Sequence, residues 1–154
     1  MRDCAILEAP GEGLTDLLAA LLRRKNPGGV TLLGPAALVS SVSPDLLLLS
    51  PKANASALGT RLRCRCLLTP EACGAVEAEF VVSYGLSEHS SVTLSSIGGD
   101  TLLLTLQREL PTLDGGSLER QDIPLCAEAS VPPLLMLAAA ASLLVLGLRP
   151  ETLA

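Results

Sequence analysis

Aromatic side chains are almost absent from this chain of 154 residues: Phe80 and Tyr84 are the only two, and tryptophan is missing. The formal net charge is −5. Nucleic-acid-binding proteins present a basic surface and, for single strands, aromatic rings on which bases stack. The composition therefore argues against a nucleic-acid partner, and it requires a hydrophobic core built from Leu, Val, Ala and Ile.

Lysine is also scarce, occurring only as Lys25 and Lys52. Neither lysine follows a glycine, so the chain has no GxxxxGK[ST] loop to cradle nucleotide phosphates, and it has no GxGxxG motif either. We therefore expect no independent ATP site of the usual kind and no cofactor.

Catalytic groups are few. His89 is the only histidine, and no GxSxG nucleophile elbow accompanies it. A general base on a loop is one interpretation of His89, and a solvated turn residue is the favoured one. We assign no catalytic residue, and the sequence leans away from an enzyme.

The five cysteines indicate a reducing compartment. Their number is odd, and the first apolar run, which Glu8 closes, is too short and too acidic for a signal peptide. Reduced thiols in the cytosol are therefore favoured over a disulfide framework. Three of the cysteines, Cys64, Cys66 and Cys73, suggest a zinc site, but the spacing is not CxxC. Cys64 and Cys66, two residues apart on a strand, are predicted to share one face with Leu62 and Leu68, and inert buried cysteines on that face are the favoured interpretation.

The apolar residues, 49% of the chain, form a pattern typical of a single α/β domain over residues 1–154. Parallel-type strands with flanking helices come first, an antiparallel meander follows, and an Ala/Leu-rich helix comes last. The strands are predicted at residues 4–8, 30–33, 45–50, 61–68, 79–83, 91–97, 102–107 and 117–123. The helices are predicted from residue 14 to about 25, briefly at 35–41, and at 134–148, and residues 70–75 are predicted to form a short helical or turn segment.

Three arginines stand on one side of the predicted strand at residues 61–68. Arg61, Arg63 and Arg65 alternate with apolar residues, so their guanidinium groups lie about 7 Å apart on one face. They are a candidate anion-binding site for a carboxylate or a phosphate. The alternative is a charged edge strand, or arginines paired with the protein's own Asp and Glu residues.

The C-terminal apolar run must be compared with a membrane span. Val131 to Leu148 is uncharged, but Pro132 and Pro133 can occupy only the first turn of a helix. About 15 helical residues remain, roughly 22 Å in length, against a hydrocarbon core of about 30 Å. A buried helix is therefore favoured over a tail anchor, and no membrane contact is expected.

The second half of the chain resembles the end of the central domain of Mur ligases, the ATP-dependent enzymes that add amino acids to peptidoglycan precursors. A strand ends in Tyr84-Gly85-Leu86-Ser87, a meander closes at Ile123-Pro124-Leu125, and an alanine-rich helix leads to Gly147-Leu148-Arg149-Pro150-Glu151. The run Ala5-Ile6-Leu7-Glu8 is similar to a strand of that family. The resemblance covers about half of the chain.

The resemblance implies a Mur-ligase-like scaffold in which Glu8 helps to hold magnesium. The phosphate loop of the family is missing, and Ser130-Val131-Pro132 stands where a Gly-x-His-Asn segment is usual. We therefore expect a noncatalytic interaction or regulatory module with a protein partner or a second copy. The alternatives are a subunit of a split ATP-dependent ligase, with Glu8 on the metal and the arginines on an acidic substrate, and a tail-anchored membrane protein.

Overall fold

A five-stranded parallel sheet forms one layer of the protein. The structure, a computed structural model, describes residues 2–25, 29–34, 43–58, 61–70, 74–98, 101–126 and 130–153. The strands are β1 (Arg2–Leu7), β2 (Val30–Leu33), β3 (Leu46–Leu49), β4 (Leu62–Thr69) and β5 (Val76–Ser83). Their order is β2-β1-β3-β4-β5. The chain adds β2 on one side of β1 and the later strands on the other side, so the strand order reverses between β1 and β3. In open α/β sheets, ligands bind at the carboxyl ends of the strands that flank such a reversal.

The helix α1 (Leu14–Lys25) connects β1 to β2. Its buried residues, Leu14, Leu18 and Leu21, recur at the spacing of one helix face and join the core beneath the sheet. Asp16 lies in the first turn and three cations lie in the last, as the helix dipole favours. The predicted helix is confirmed.

A second, antiparallel sheet follows, with the order β10-β7-β6. Its strands are β6 (Val92–Gly98), β7 (Thr101–Leu106) and β10 (Gln121–Cys126), and a small hairpin of β8 (Leu110–Pro111) and β9 (Ser117–Leu118) lies between the last two. The single strand predicted at residues 117–123 is wrong. Leu118 pairs with Leu110, whereas Gln121 pairs with Leu106, so the hydrogen-bonding partner changes within that run.

The helix α2 (Pro133–Val145) packs against both sheets and against α1. Every residue from Leu135 to Val145 is buried, including the four consecutive alanines. The predicted buried helix is confirmed, although it ends at Val145 rather than near Leu148. Among the described residues, none of the helices combines the length and the apolar character that a membrane crossing requires.

The carboxyl end of α2 is held by hydrogen bonds from three directions. Gly147, at φ 106°, forms the left-handed turn that closes the helix, and its amide donates to Leu144 O. The Leu113 amide donates to Val145 O at 2.8 Å, and Arg2 Nη1 donates to Leu146 O at 3.4 Å. The β8–β9 hairpin and the first strand therefore both donate hydrogen bonds to carbonyl groups at the carboxyl end of α2.

The alternation of side chains along β4 breaks at Arg65. The amides of Arg65 and Cys66 donate to Pro44 O and Asp45 O, whereas consecutive amides of a regular strand point to opposite sides. As a result Cys64 packs in one apolar cluster and Cys66 in the other. The prediction that both cysteines share one face is wrong.

The remaining differences lie at strand and helix boundaries. The strand β5 begins at Val76 rather than at Glu79, because residues 76–78 pair with residues 62–64 of β4. The brief helix predicted at residues 35–41 lies outside the described residues, as does the centre of the segment predicted at 70–75.

The turn that caps α2 predicts a pH dependence. Asp114 accepts hydrogen bonds from Thr112 Oγ1 and from the Gly116 amide, and with the charge of Arg2 these hold the pKa of Asp114 below its ordinary value. Because the pKa of Asp114 is lower in the folded protein than in the unfolded chain, its carboxylate stabilises the fold at pH values above the unfolded-state pKa. This stabilisation is lost as the pH falls through the folded-state pKa of Asp114. A ¹³C NMR titration of the carboxyl group should give a midpoint below that of Asp114 in the unfolded chain, and Thr112→Val should raise it. A wild-type midpoint at or above the unfolded-chain value would contradict this assignment.

Candidate functional site

The turn between β1 and α1 lies at the reversal of the sheet, where a ligand would be expected. Gly11 and Gly13 adopt φ angles of 82° and 79°, which only glycine adopts readily, and they fold the chain back toward the end of β1. Glu8 Oε2 accepts a hydrogen bond of 2.7 Å from the Leu14 amide, and Oε1 accepts one of 3.2 Å from the Thr15 amide. The protein's own carboxylate therefore occupies the N-terminus of α1.

A second carboxylate ties the end of β1 to the end of β3. Glu12 Oε1 accepts hydrogen bonds from the Ala9 amide at 3.0 Å and from the hydroxyl of Ser50, which is fully buried. The Ser50 amide in turn donates to Leu7 O at 3.0 Å. These groups hydrogen-bond to one another at the carboxyl ends of β1 and β3, where the strand order reverses; we call this place the β1–β3 crevice.

Tyr84 extends this network toward β5. Its side chain is fully buried, and its hydroxyl donates to Leu49 O at 2.6 Å. Burial raises the pKa of Tyr84, and the negative charge of Glu12 raises it further. The phenol is therefore a structural hydrogen-bond donor at neutral pH, and it fixes the carboxyl end of β3.

Two clefts open at the same edge of the sheet and share Pro51 and Lys52. The first, of about 370 Å³, has polar groups from Asn54, Ser56 and Thr69 in its lining. The second, of about 360 Å³, lies between the β1–α1 turn and the start of α2, with Glu12 in its wall. Within the part of the chain that the structure describes, no three His, Cys, Asp or Glu side chains are grouped so that they could hold a metal ion. Among these described residues, Glu8 has two backbone amides, and no metal-ligating cluster, around its carboxylate.

The three candidate anion-binding arginines face acidic residues of the neighbouring strand. Glu77 Oε2 lies 3.2 Å from Arg63 Nε and 3.9 Å from Arg61 Nε. Arg65 Nε lies 3.7 Å from Glu79 Oε2, and its guanidinium also donates to Leu113 O. These pairs are exposed, so each contributes at most about 1 kcal/mol.

The arginines and Glu8 lie at different levels of the sheet. Leu7 pairs with Leu49, and the pairing of β3 with β4 places Thr69 at the same level. Arg63 precedes Thr69 by six residues, which corresponds to about 20 Å along the strand. Glu8 and the arginines therefore do not form one site.

Sequence reasoning missed the residues that close the β1–β3 crevice, Glu12, Ser50 and Tyr84. A glycine-containing turn after a buried strand was the available signal, because such turns carry ligand phosphates in doubly wound folds. No family model matches the sequence, and no curated protein matches it. The likeness to Mur ligases therefore stays a prediction.

The burial of the cysteines predicts which thiols react. Burial raises the pKa of Cys4, Cys64 and Cys66 to about 12 each, so at pH 8 they remain neutral thiols, whereas Cys126 is exposed. In a Cys73→Ser background, an aromatic disulfide reagent should label one thiol rapidly and three only as the protein unfolds. Cys126→Ser should remove the rapid phase. Rapid labelling of more than one thiol would contradict the buried placement.

The hydrogen bond of Tyr84 predicts a loss of stability on its removal. Tyr84→Phe deletes the donor to Leu49 O in a fully buried position, and the free energy of unfolding should fall by about 1–2 kcal/mol. Urea unfolding followed by circular dichroism measures this change. The control is Ser95→Ala, which removes an exposed hydroxyl and should change stability by less than about 0.5 kcal/mol. Equal effects of the two substitutions would be inconsistent with the role given to Tyr84.

Proposed function

We propose that this protein is a noncatalytic scaffold, similar in plan to the central domain of Mur ligases, that acts as a cytosolic interaction or regulatory module. One observation carries the proposal: Glu8 binds the two amides at the N-terminus of α1. In doubly wound folds that position receives the phosphate of a nucleotide.

A phosphate group would have to displace the Glu8 carboxylate. The N-terminus of a helix carries roughly half an elementary positive charge and binds one anion at a time. Glu12, on the same turn, adds a second carboxylate beside Ala9 and Ser50. A nucleotide entering here would lose hydrogen bonds that the protein already makes and would face negative charge.

An interaction role is supported by the apolar side chains that the surface retains. Val81, Leu86 and Ile97 are 56%, 64% and 54% exposed. Val81 lies on β5, the last strand in the order of the parallel sheet, where a protein partner or a second copy could contact it. The four cysteines that the structure describes are free, in keeping with the cytosol.

Titration calorimetry with ATP–Mg tests the proposal. We expect no saturable heat with the wild-type protein, because the carboxylate of Glu8 occupies the phosphate position. Binding of ATP–Mg at micromolar affinity would show the proposal to be wrong.

Substitution of Glu8 tests whether its carboxylate is what prevents a phosphate group from binding at the N-terminus of α1. Glu8→Ala should free the Leu14 and Thr15 amides and lower stability by about 0.5–2 kcal/mol, the usual effect of losing a helix cap. Millimolar inorganic phosphate should then shift the ¹⁵N–¹H signals of these two amides in the variant and leave them unchanged in the wild type. Asp16→Ala is the matched control, since Asp16 is a first-turn carboxylate that does not accept from either amide. Phosphate shifts of equal size in the wild type would contradict the blocked-site explanation.

A further inference from the structure

An apolar groove of about 270 Å³ lies between the last turn of α1, the strand β10 and the helix α2. It is on the α1 side of the molecule and shares no residue with the clefts at the carboxyl edge of the sheet. The apolar side chains that line it, all 7% exposed or less, are Leu21, Leu125, Met136, Ala140, Leu143 and Leu153. The groove therefore reaches the hydrophobic core.

Two cations stand beside this apolar lining. Arg24 is exposed and Lys25 half-buried, and both line the groove from the last turn of α1. Lys25 has no ion-pair partner among the residues that the structure describes. In a chain of net charge −5, this places positive charge at the opening and hydrocarbon within.

The lining also excludes other ligand classes. None of the groove residues is aromatic, so a nucleobase would find no ring on which to stack. Pockets for drug-sized ligands usually exceed about 300 Å³, so this groove, which is smaller in volume, suits a single hydrocarbon chain. Cys126 contributes a thiol, which is a weak hydrogen-bond donor.

We propose that the groove binds a monomeric fatty acid of medium length, with its hydrocarbon chain along α2 and its carboxylate beside Lys25. Apolar burial provides the affinity and the Lys25 ammonium selects the charged end group. This site is independent of the function proposed above and needs no catalytic step.

Methionine methyl groups provide a direct test. Met1 and Met136 are the only methionines, and Met136 lines the groove. In protein labelled with ¹³C at the methionine methyl groups, dodecanoate below its micelle concentration should shift the Met136 signal saturably, with one ligand per chain. Met136→Leu assigns the signal. Dodecanol, with the same chain and no charge, should bind several-fold more weakly.

Charge-reversal variants test the end-group recognition. Lys25→Glu should weaken dodecanoate binding by about three- to tenfold, as expected for one partly exposed ion pair lost and one repulsion gained. Arg23→Glu makes the same change of charge on the same turn at a residue that does not line the groove, and it should leave the affinity unchanged. Ala140→Leu should fill the groove and abolish binding, with circular dichroism confirming that the variant is folded.

Several results would overturn the proposal. These are an unmoved Met136 signal, dodecanol binding as tight as dodecanoate binding, and equal weakening by Arg23→Glu and Lys25→Glu. A Met136 signal that moves with protein concentration alone would assign the groove to a second copy of the chain. Binding to anionic phospholipid vesicles without binding of the free acid would assign it to a membrane surface, and loss of circular dichroism on titration would show denaturation instead.

Discussion

The helix α2 has no polar face, and the rest of the fold is arranged to cover it. Its eleven residues from Leu135 to Val145 are buried, so α1 and both sheets must pack around it. Each fully buried leucine contributes about 1.5–3 kcal/mol relative to exposure. A helix that is apolar all round is stable in water only inside a protein. The parallel and antiparallel sheets therefore form one structure because they share this helix.

The small side chains of α2 determine how closely its neighbours approach. The alanines at positions 138–141 are at most 3% exposed and belong to the same core cluster as leucines of α1 and of both sheets. Ala140 lies on the side of α2 that faces α1, and its small side chain lines the apolar groove together with Met136. At its other end, α2 depends on Leu113 and Arg2 to satisfy its last carbonyl groups. The same helix thus connects the core, a surface groove and the hairpin that ends it.

Periodicity predicted the elements whose shape is decided locally. The leucine spacing of α1 and the apolar runs of β1 to β3 each identify a buried face without reference to a partner. The errors arose where a distant partner decides the outcome. The division of residues 117–123 depends on Leu110 and Leu106, and the separation of Cys64 from Cys66 depends on the carbonyl groups of Pro44 and Asp45. The capping of α1 by Glu8 depends on a backward turn through Gly11 and Gly13, which composition does not reveal.

The carboxyl ends of the parallel strands are a poor ligand site because their polar groups already hydrogen-bond to one another, whereas the apolar groove beside α2 is a better one. At the edge, Glu8 and Glu12 already accept backbone amides, so an anionic ligand must break hydrogen bonds before it makes any. Each buried donor or acceptor that loses its partner costs about 1–3 kcal/mol, so the total cost grows with the number of groups that the ligand displaces. In the groove the hydrocarbon chain of the ligand displaces only water from apolar walls, and burial of each methylene gains about 0.8 kcal/mol. For equal contact area, binding at the groove is therefore favoured over binding at the crevice between β1 and β3.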